Sequence, residues 1–100
     1  MTIQDFNKVC EEQLKTTSNC EVVSIDHYLG LGGLVHECEF IYKGKEYRLN
    51  VDRYGRIRIY NHEPYPTEMK HYERVLKGKL VYEEIIRKEG FTIEKFFQEN

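Results

Sequence analysis

The chain has no tryptophan, only two prolines and three cysteines, and no long apolar run. A membrane-crossing helix takes about 20 predominantly apolar residues, so none is expected within these 100 residues. Residues 1–6 lack the basic start and apolar stretch of a secretory signal, which makes the cytoplasm the expected compartment. Cys10, Cys20 and Cys38 are odd in number and follow no CxxC spacing, and the four histidines form no HxxxH pair. Reduced thiols are therefore the default, and no metal or other cofactor is implied. No serine sits in a nucleophile elbow, and no Lys-Ser or Lys-Thr follows the glycines at 30–33, so neither serine hydrolysis nor phosphate cradling is indicated. Net charge is only −2, too little basicity to argue nucleic-acid binding from charge alone.

What is present is organised around residues 47–60. Tyr47, Leu49 and Val51 alternate onto one face of a strand, and Ile57 and Ile59 must share that face. Pairing 51 with 57 and 49 with 59 needs a loop of odd length. Arg53-Tyr54-Gly55 supplies it, with glycine where a type I turn plus G1 bulge needs a left-handed residue. Asp52 stands where its carboxylate can bond back to the turn. The other face then pairs Asn50 with Arg58 and Arg48 with Tyr60.

Upstream, His36, Cys38, Phe40 and Tyr42 alternate with Val35, Glu37, Glu39 and Ile41. A two-residue turn within Lys43-Gly44-Lys45 sets Phe40 against Tyr47 or Leu49, and places Glu37 and Glu39 beside Arg48 and Asn50. A first strand is expected at 22–28, with Val23 and Ile25 inward. Residues 2–15 carry Ile3, Phe6, Val9, Cys10 and Leu14 at helical spacing, with Thr2 as N-cap and Asp5 in the first turn. After strands at roughly 21–28, 34–42, 46–52 and 56–60, Pro64 and Pro66 force an extended connector. Helices are expected at 67–77, at 80–89 with Val81, Ile85 and Ile86 inward, and from Ile93. Phe91, Thr92 and Phe96 would staple the last one. The expected fold is α+β in a single domain, 1–100. An N-terminal helix precedes a four-stranded antiparallel meander, and two to three short C-terminal helices pack on one sheet face.

Charge is unevenly distributed. Residues 1–42 carry two basic and seven acidic side chains, residues 43–60 six basic and two acidic, and residues 61–100 seven basic and eight acidic. Such polarity favours oriented docking. Arg48, Tyr54, Arg56, Arg58 and Tyr60 are the candidate contacts, because arginine and tyrosine are enriched in interface hot spots. An ion-paired, merely solvated face is the competing reading, since Glu37, Glu39 and Asp52 share it. The other candidates are bland. His27, His36 and Cys38 converge only if strands one and two align Ile25 with Cys38, and otherwise they are core and edge residues of a hairpin. Cys10 and Cys38 fall on apolar faces where thiols are inert, whereas Cys20 lies near a loop.

The pattern Tyr47-x-Leu49-x-Val51-Asp52-x-x-Gly55-x-Ile57, after an N-terminal helix and strands, resembles the PepSY domain over about residues 3–60. That resemblance implies a binding or inhibitory module rather than an enzyme. The chain departs from it in lacking an export signal and in its C-terminal helical segments. In size and element order it also looks like compact phage-encoded inhibitors, including anti-CRISPR proteins, which occupy a site on a larger machine. The expected function is therefore a non-catalytic cytoplasmic regulator or inhibitor that docks on a larger protein. Single-stranded nucleic-acid binding through the arginine–tyrosine face is the alternative. The strand at 56–60 would be an exposed edge, so both monomer and homodimer fit.

Overall fold

A computed structural model describes residues 2–30, 33–62, 78–85 and 93–100. The chain starts with helix α1 (Ile3–Val9), which runs into a π-helical segment (Cys10–Leu14). Five strands follow: β1 (Cys20–Gly30), β2 (Gly33–Tyr42), β3 (Lys45–Val51), β4 (Arg56–His62) and β5 (Lys79–Ile85). A short helix, α2 (Glu94–Glu99), closes the chain. The strands form one antiparallel sheet in the order β1-β2-β3-β4-β5, each bonded to its neighbours in sequence.

The α+β class stands, but the expected strand and helix count does not. The sheet has five strands rather than four, and the segment expected as a helix at 80–89 starts as β5. Val81 and Ile85, expected inward, are exposed. The 56–60 strand is consequently no edge, because β5 covers it. Among the described residues the edges are β1 and β5. Of the expected C-terminal helices, only α2 lies among the described residues. The helix at 67–77, the Pro64–Pro66 connector, the loop residues 31–32 and the Phe91–Thr92 staple lie outside them. Ile93, rather than Thr92, takes the N-cap position of α2.

The central hairpin has the expected register, Val51 opposite Ile57 and Leu49 opposite Ile59. Gly55 adopts φ 77°, and Asp52 Oδ1 accepts from the backbone N–H groups of Tyr54 (2.9 Å) and Arg56 (3.0 Å). Phe40 pairs with Tyr47 and Cys38 with Leu49. α1 begins with a reciprocal capping box. Thr2 Oγ1 accepts from the Asp5 N–H at 3.0 Å, and Asp5 Oδ2 accepts from the Thr2 N–H at 3.1 Å.

Both edge strands carry one extra residue. Val22 faces Phe40 and Ser24 faces Glu39, so Val23 bulges out of β1. Tyr82 faces Ile59 and Leu80 faces Tyr60, so Val81 bulges out of β5. A bulge moves every residue beyond it to the opposite face. Val23, expected inward, is 56% exposed, while Val22 and Ile25 pack on the core.

The core lies between one sheet face and the two ends of the chain. Phe6, Cys10 and Leu14 cover it from the N-terminal side, and Ile93 and Phe96 from the C-terminal side. The two ends meet where Gln13 Oε1 accepts from the Ile93 N–H at 3.0 Å.

Candidate functional site

On the face opposite α1, strand register sets the side chains in rows. One row runs Asp26, Glu37, Asn50, Arg58, Glu83, and the next runs Ser24, Glu39, Arg48, Tyr60, Leu80. Acidic groups collect on β1 and β2, and basic groups on β3 and β4. The sheet therefore neutralises much of its own charge across its strands.

That arrangement divides the five expected contact residues. Arg48 is 5% exposed. Its guanidinium lies 4.4 Å from the centroid of the Tyr60 ring, a cation–π contact, and its Nε is 3.8 Å from Glu37 Oε1. That separation makes an ion pair without a hydrogen bond, and Arg48 Nε has no hydrogen-bond partner among the described residues. Tyr28 joins the cluster from β1, within 3.5 Å of Asn50 Nδ2. Burial first, and then the Glu37 carboxylate, push its phenol above the ordinary tyrosine value. Arg58 pairs with Glu83 at 3.2 Å. Burial opposes its charge, but Tyr60 and Glu83 together outweigh that and hold its pKa above the usual arginine value. Arg48, Arg58 and Tyr60 are thus internal cross-strand partners of the sheet.

Tyr54 and Arg56 are placed differently. They lie at the end of the sheet where the start of β2 approaches the β3–β4 turn. The approach is at Gly33, where φ is +120°. A Cβ built there would come within 2.7 Å of Arg53 Cδ. Arg53 stacks on Tyr54, its guanidinium 4.8 Å from the ring centroid. Tyr54 remains 66% exposed. Ile85 of β5 is 52% exposed and paired with Arg56, whereas Leu29 of β1, 83% exposed, shares the core-side face of the sheet with His27. Among the described residues no carboxylate forms an ion pair with Arg53 or Arg56.

No family model, curated protein or solved structure matches this chain. Its site is therefore read from its own geometry. Exposed apolar groups and uncompensated guanidiniums at one end of a rigid sheet have the composition of an interface centre.

Sequence reasoning located Tyr54 and Arg56 but missed Arg53 and Ile85. Ile85 carried no signal, because its segment was read as a helix with that side chain inward.

The core face holds a second polar group. Ile25 does align with Cys38, and His27 faces His36. The two Nδ1 atoms are 2.8 Å apart, and His27 Nε2 is 3.2 Å from Asn7 Oδ1. With Asn7 accepting, His27 carries its proton on Nε2 and accepts at Nδ1 from His36 Nδ1–H. Phe6 stacks on His36 with centroids 5.2 Å apart. Among the described residues, no group of three or more His, Cys, Asp or Glu is placed to hold a metal ion. No helix among them is long and apolar enough to cross a membrane.

Proposed function

We propose that this chain is a non-catalytic docking protein of the cytoplasm, a regulator or inhibitor that binds a larger protein through the loop end of its sheet. One observation carries the reading. Exposed Tyr54 stacks with Arg53 on the β3–β4 turn, Arg56 follows it paired with exposed Ile85, and no described carboxylate forms an ion pair with either arginine. The matching partner surface is an apolar depression rimmed by carboxylates. The basic excess of residues 43–60 orients the approach, and the apolar groups hold the complex. Arg48, Arg58 and Tyr60 lie on the same sheet face as Arg56, held in cross-strand pairs. Stacking of single-stranded nucleic acid on the sheet face is the weaker reading, because Tyr60 already receives the Arg48 guanidinium.

The test is affinity capture from host lysate with the wild-type chain, the Tyr54→Ala/Arg56→Ala variant and the Arg58→Ala variant, each with and without nuclease. A stoichiometric, nuclease-resistant protein is expected on the wild type and on Arg58→Ala. Truncating a hot-spot residue costs about 2 kcal/mol or more, so the double variant should bind at least roughly 30-fold more weakly at an unchanged melting temperature. Equal capture by the double variant, or capture abolished by nuclease, would overturn the proposal.

A further inference from the structure

The core face of the β1–β2 hairpin carries two imidazoles among apolar neighbours. His27 of β1 and His36 of β2 stand directly opposite each other. Their ring planes cross at 78°, with centroids 5.1 Å apart, and the two Nδ1 atoms meet at 2.8 Å. α1 closes over both rings. The Phe6 ring stacks on His36 and meets His27 edge to face, with centroids 5.2 and 5.8 Å away. Asn7, the next residue, takes the far side of His27 through its Oδ1, 3.2 Å from Nε2. One chain of hydrogen bonds therefore ties β2 to β1 and β1 to α1. His36 Nδ1–H donates to His27 Nδ1, and His27 Nε2–H donates to Asn7 Oδ1. His36 is almost fully buried, whereas His27 and Asn7 are half-buried.

We infer that this chain of bonds is an acid-sensitive latch: proton uptake at His27 breaks it and leaves α1 open from the sheet for a larger share of the time. Occupancy of the ring nitrogens decides the direction. In the closed arrangement His27 Nε2 holds its proton for Asn7, and the His27 Nδ1 lone pair is engaged by His36. The ring has no site for a further proton while the latch is shut. A proton at Nδ1 sets N–H against N–H at 2.8 Å, and an attraction becomes a repulsion. The strands cannot part to relieve it, because Asp26 pairs with Glu37 and Tyr28 with Val35 on either side. The less buried ring, His27, must turn outward. Its Nε2 then leaves Asn7, and Phe6 loses the edge it packs against. Opening binds the proton and closing expels it, so acid favours the open arrangement by linkage.

The strand residues around the pair are mostly apolar. Ile25 and Leu29 of β1, Leu34 and Cys38 of β2 and Val51 of β3 share its face. Asp26 and Glu37 flank the pair in sequence but lie on the opposite face. On α1, Asp5 and Lys8 are exposed and Cys10 is buried. Arg53, which approaches Gly33 from the β3–β4 turn, stacks on Tyr54. No described carboxylate forms an ion pair with His27. Histidine ordinarily changes charge between about pH 5 and 8, whereas the Asp5 carboxyl is held below 3.8, so the latch and the helix cap respond in separate ranges.

The experiment follows amide hydrogen exchange of the full chain by NMR between about pH 7.5 and about pH 5, as protection relative to the unstructured sequence at each pH. The reporters are the Phe6 N–H, which donates to the Thr2 carbonyl at 3.1 Å, and the Cys10 N–H, which donates back into α1. Amides of the central strand β3 are the reference. Protection at Phe6 and Cys10 should fall about 10-fold or more on acidification, the scale of one lost hydrogen bond to a buried group, while β3 stays protected. The His62→Gln/His71→Gln variant, which keeps only this pair of histidines, should show the same fall. His27→Gln, and His36→Phe with an apolar ring against Phe6, should each show none. Imidazole nitrogen shifts of the wild type at about pH 7.5 supply a check that no variant's folding affects, with Nε2–H expected on His27 and Nδ1–H on His36. No fall in the wild type, a fall that survives either substitution of the pair, an equal fall across β3, or a neutral His27 protonated on Nδ1 would overturn the inference.

Discussion

Replacing Phe96 with alanine isolates what holds the C-terminal end in place. α2 has six residues, well short of the length at which a helix is stable alone in water. It persists because the Phe96 ring is fully buried among Phe40, Tyr42, Tyr47 and Tyr82, with centroids 6.1, 6.3, 5.1 and 6.1 Å away. A core Phe→Ala change costs about 3–5 kcal/mol through lost transfer energy and the cavity left behind. The cavity here borders four other aromatic rings, which are too rigid to collapse into it, so the upper half of that range applies. An unfolding entropy of about 2.1 cal/mol/K per residue gives roughly 0.21 kcal/mol/K for this chain, hence a melting temperature lower by roughly 19–24 °C. Differential scanning calorimetry reads the shift directly. Phe97→Ala is the internal control, since that ring is only partly buried and should cost clearly less. A Phe96→Ala drop smaller than about 5 °C would mean that α2 contributes little and that the sheet face is held by the N-terminal helix alone.

Two further outcomes follow from local geometry. Gly33→Ala must accommodate both φ +120° and a Cβ within 2.7 Å of Arg53 Cδ, so thermal melting should show a loss of about 1–3 kcal/mol, with weaker partner capture as Arg53 is displaced. Asp5 is held below its ordinary value of 3.8, first by the Thr2 backbone N–H and then by the Thr2 hydroxyl. Its contribution is thus present above that value and lost as pH falls through the lowered one. Far-ultraviolet circular dichroism should therefore show α1 fraying in that acid window, and Asp5→Ala should remove the dependence.

The legible part of the fold was the part where side-chain parity runs unbroken. From Leu34 through Ile59 the alternation, the Lys43-Gly44 turn and the Asp52–Gly55 loop all agree, and the register of β2, β3 and β4 follows from them. Both misreadings lie on bulged strands. In β1 the extra residue at Val23 shifts parity between Val22 and Ser24, so counting back from Ile25 points Val23 into the core when it points out. In β5 the bulge at Val81 breaks the alternation of 79–85. The remaining Val81–Ile85 spacing and the glutamates then imitate a helix. What favours a strand is tertiary, namely the row of β4 hydrogen-bonding groups that β5 completes. The candidate surface was half legible for a related reason. Alternation assigns Arg48 to the polar face but says nothing of Glu37 and Tyr60 closing around it. It is also silent on the close approach of Gly33 to Arg53, which brings the start of β2 against the β3–β4 turn.

The meander order fixes when the core can close. Each strand pairs with the one made just before it, so sheet growth keeps pace with synthesis and requires few long-range searches. The cover is split between the chain's two ends. Phe6, Cys10 and Leu14 are ready before any of the five strands exists, whereas Phe96 is made only after β5. At roughly 5–20 residues per second, Phe40 waits about 3–11 s for the ring that shields it. The nascent sheet therefore carries an aromatic face over Phe40, Tyr42 and Tyr47 until α2 caps it, so a chain truncated before Ile93 should be prone to aggregate even with all five strands present.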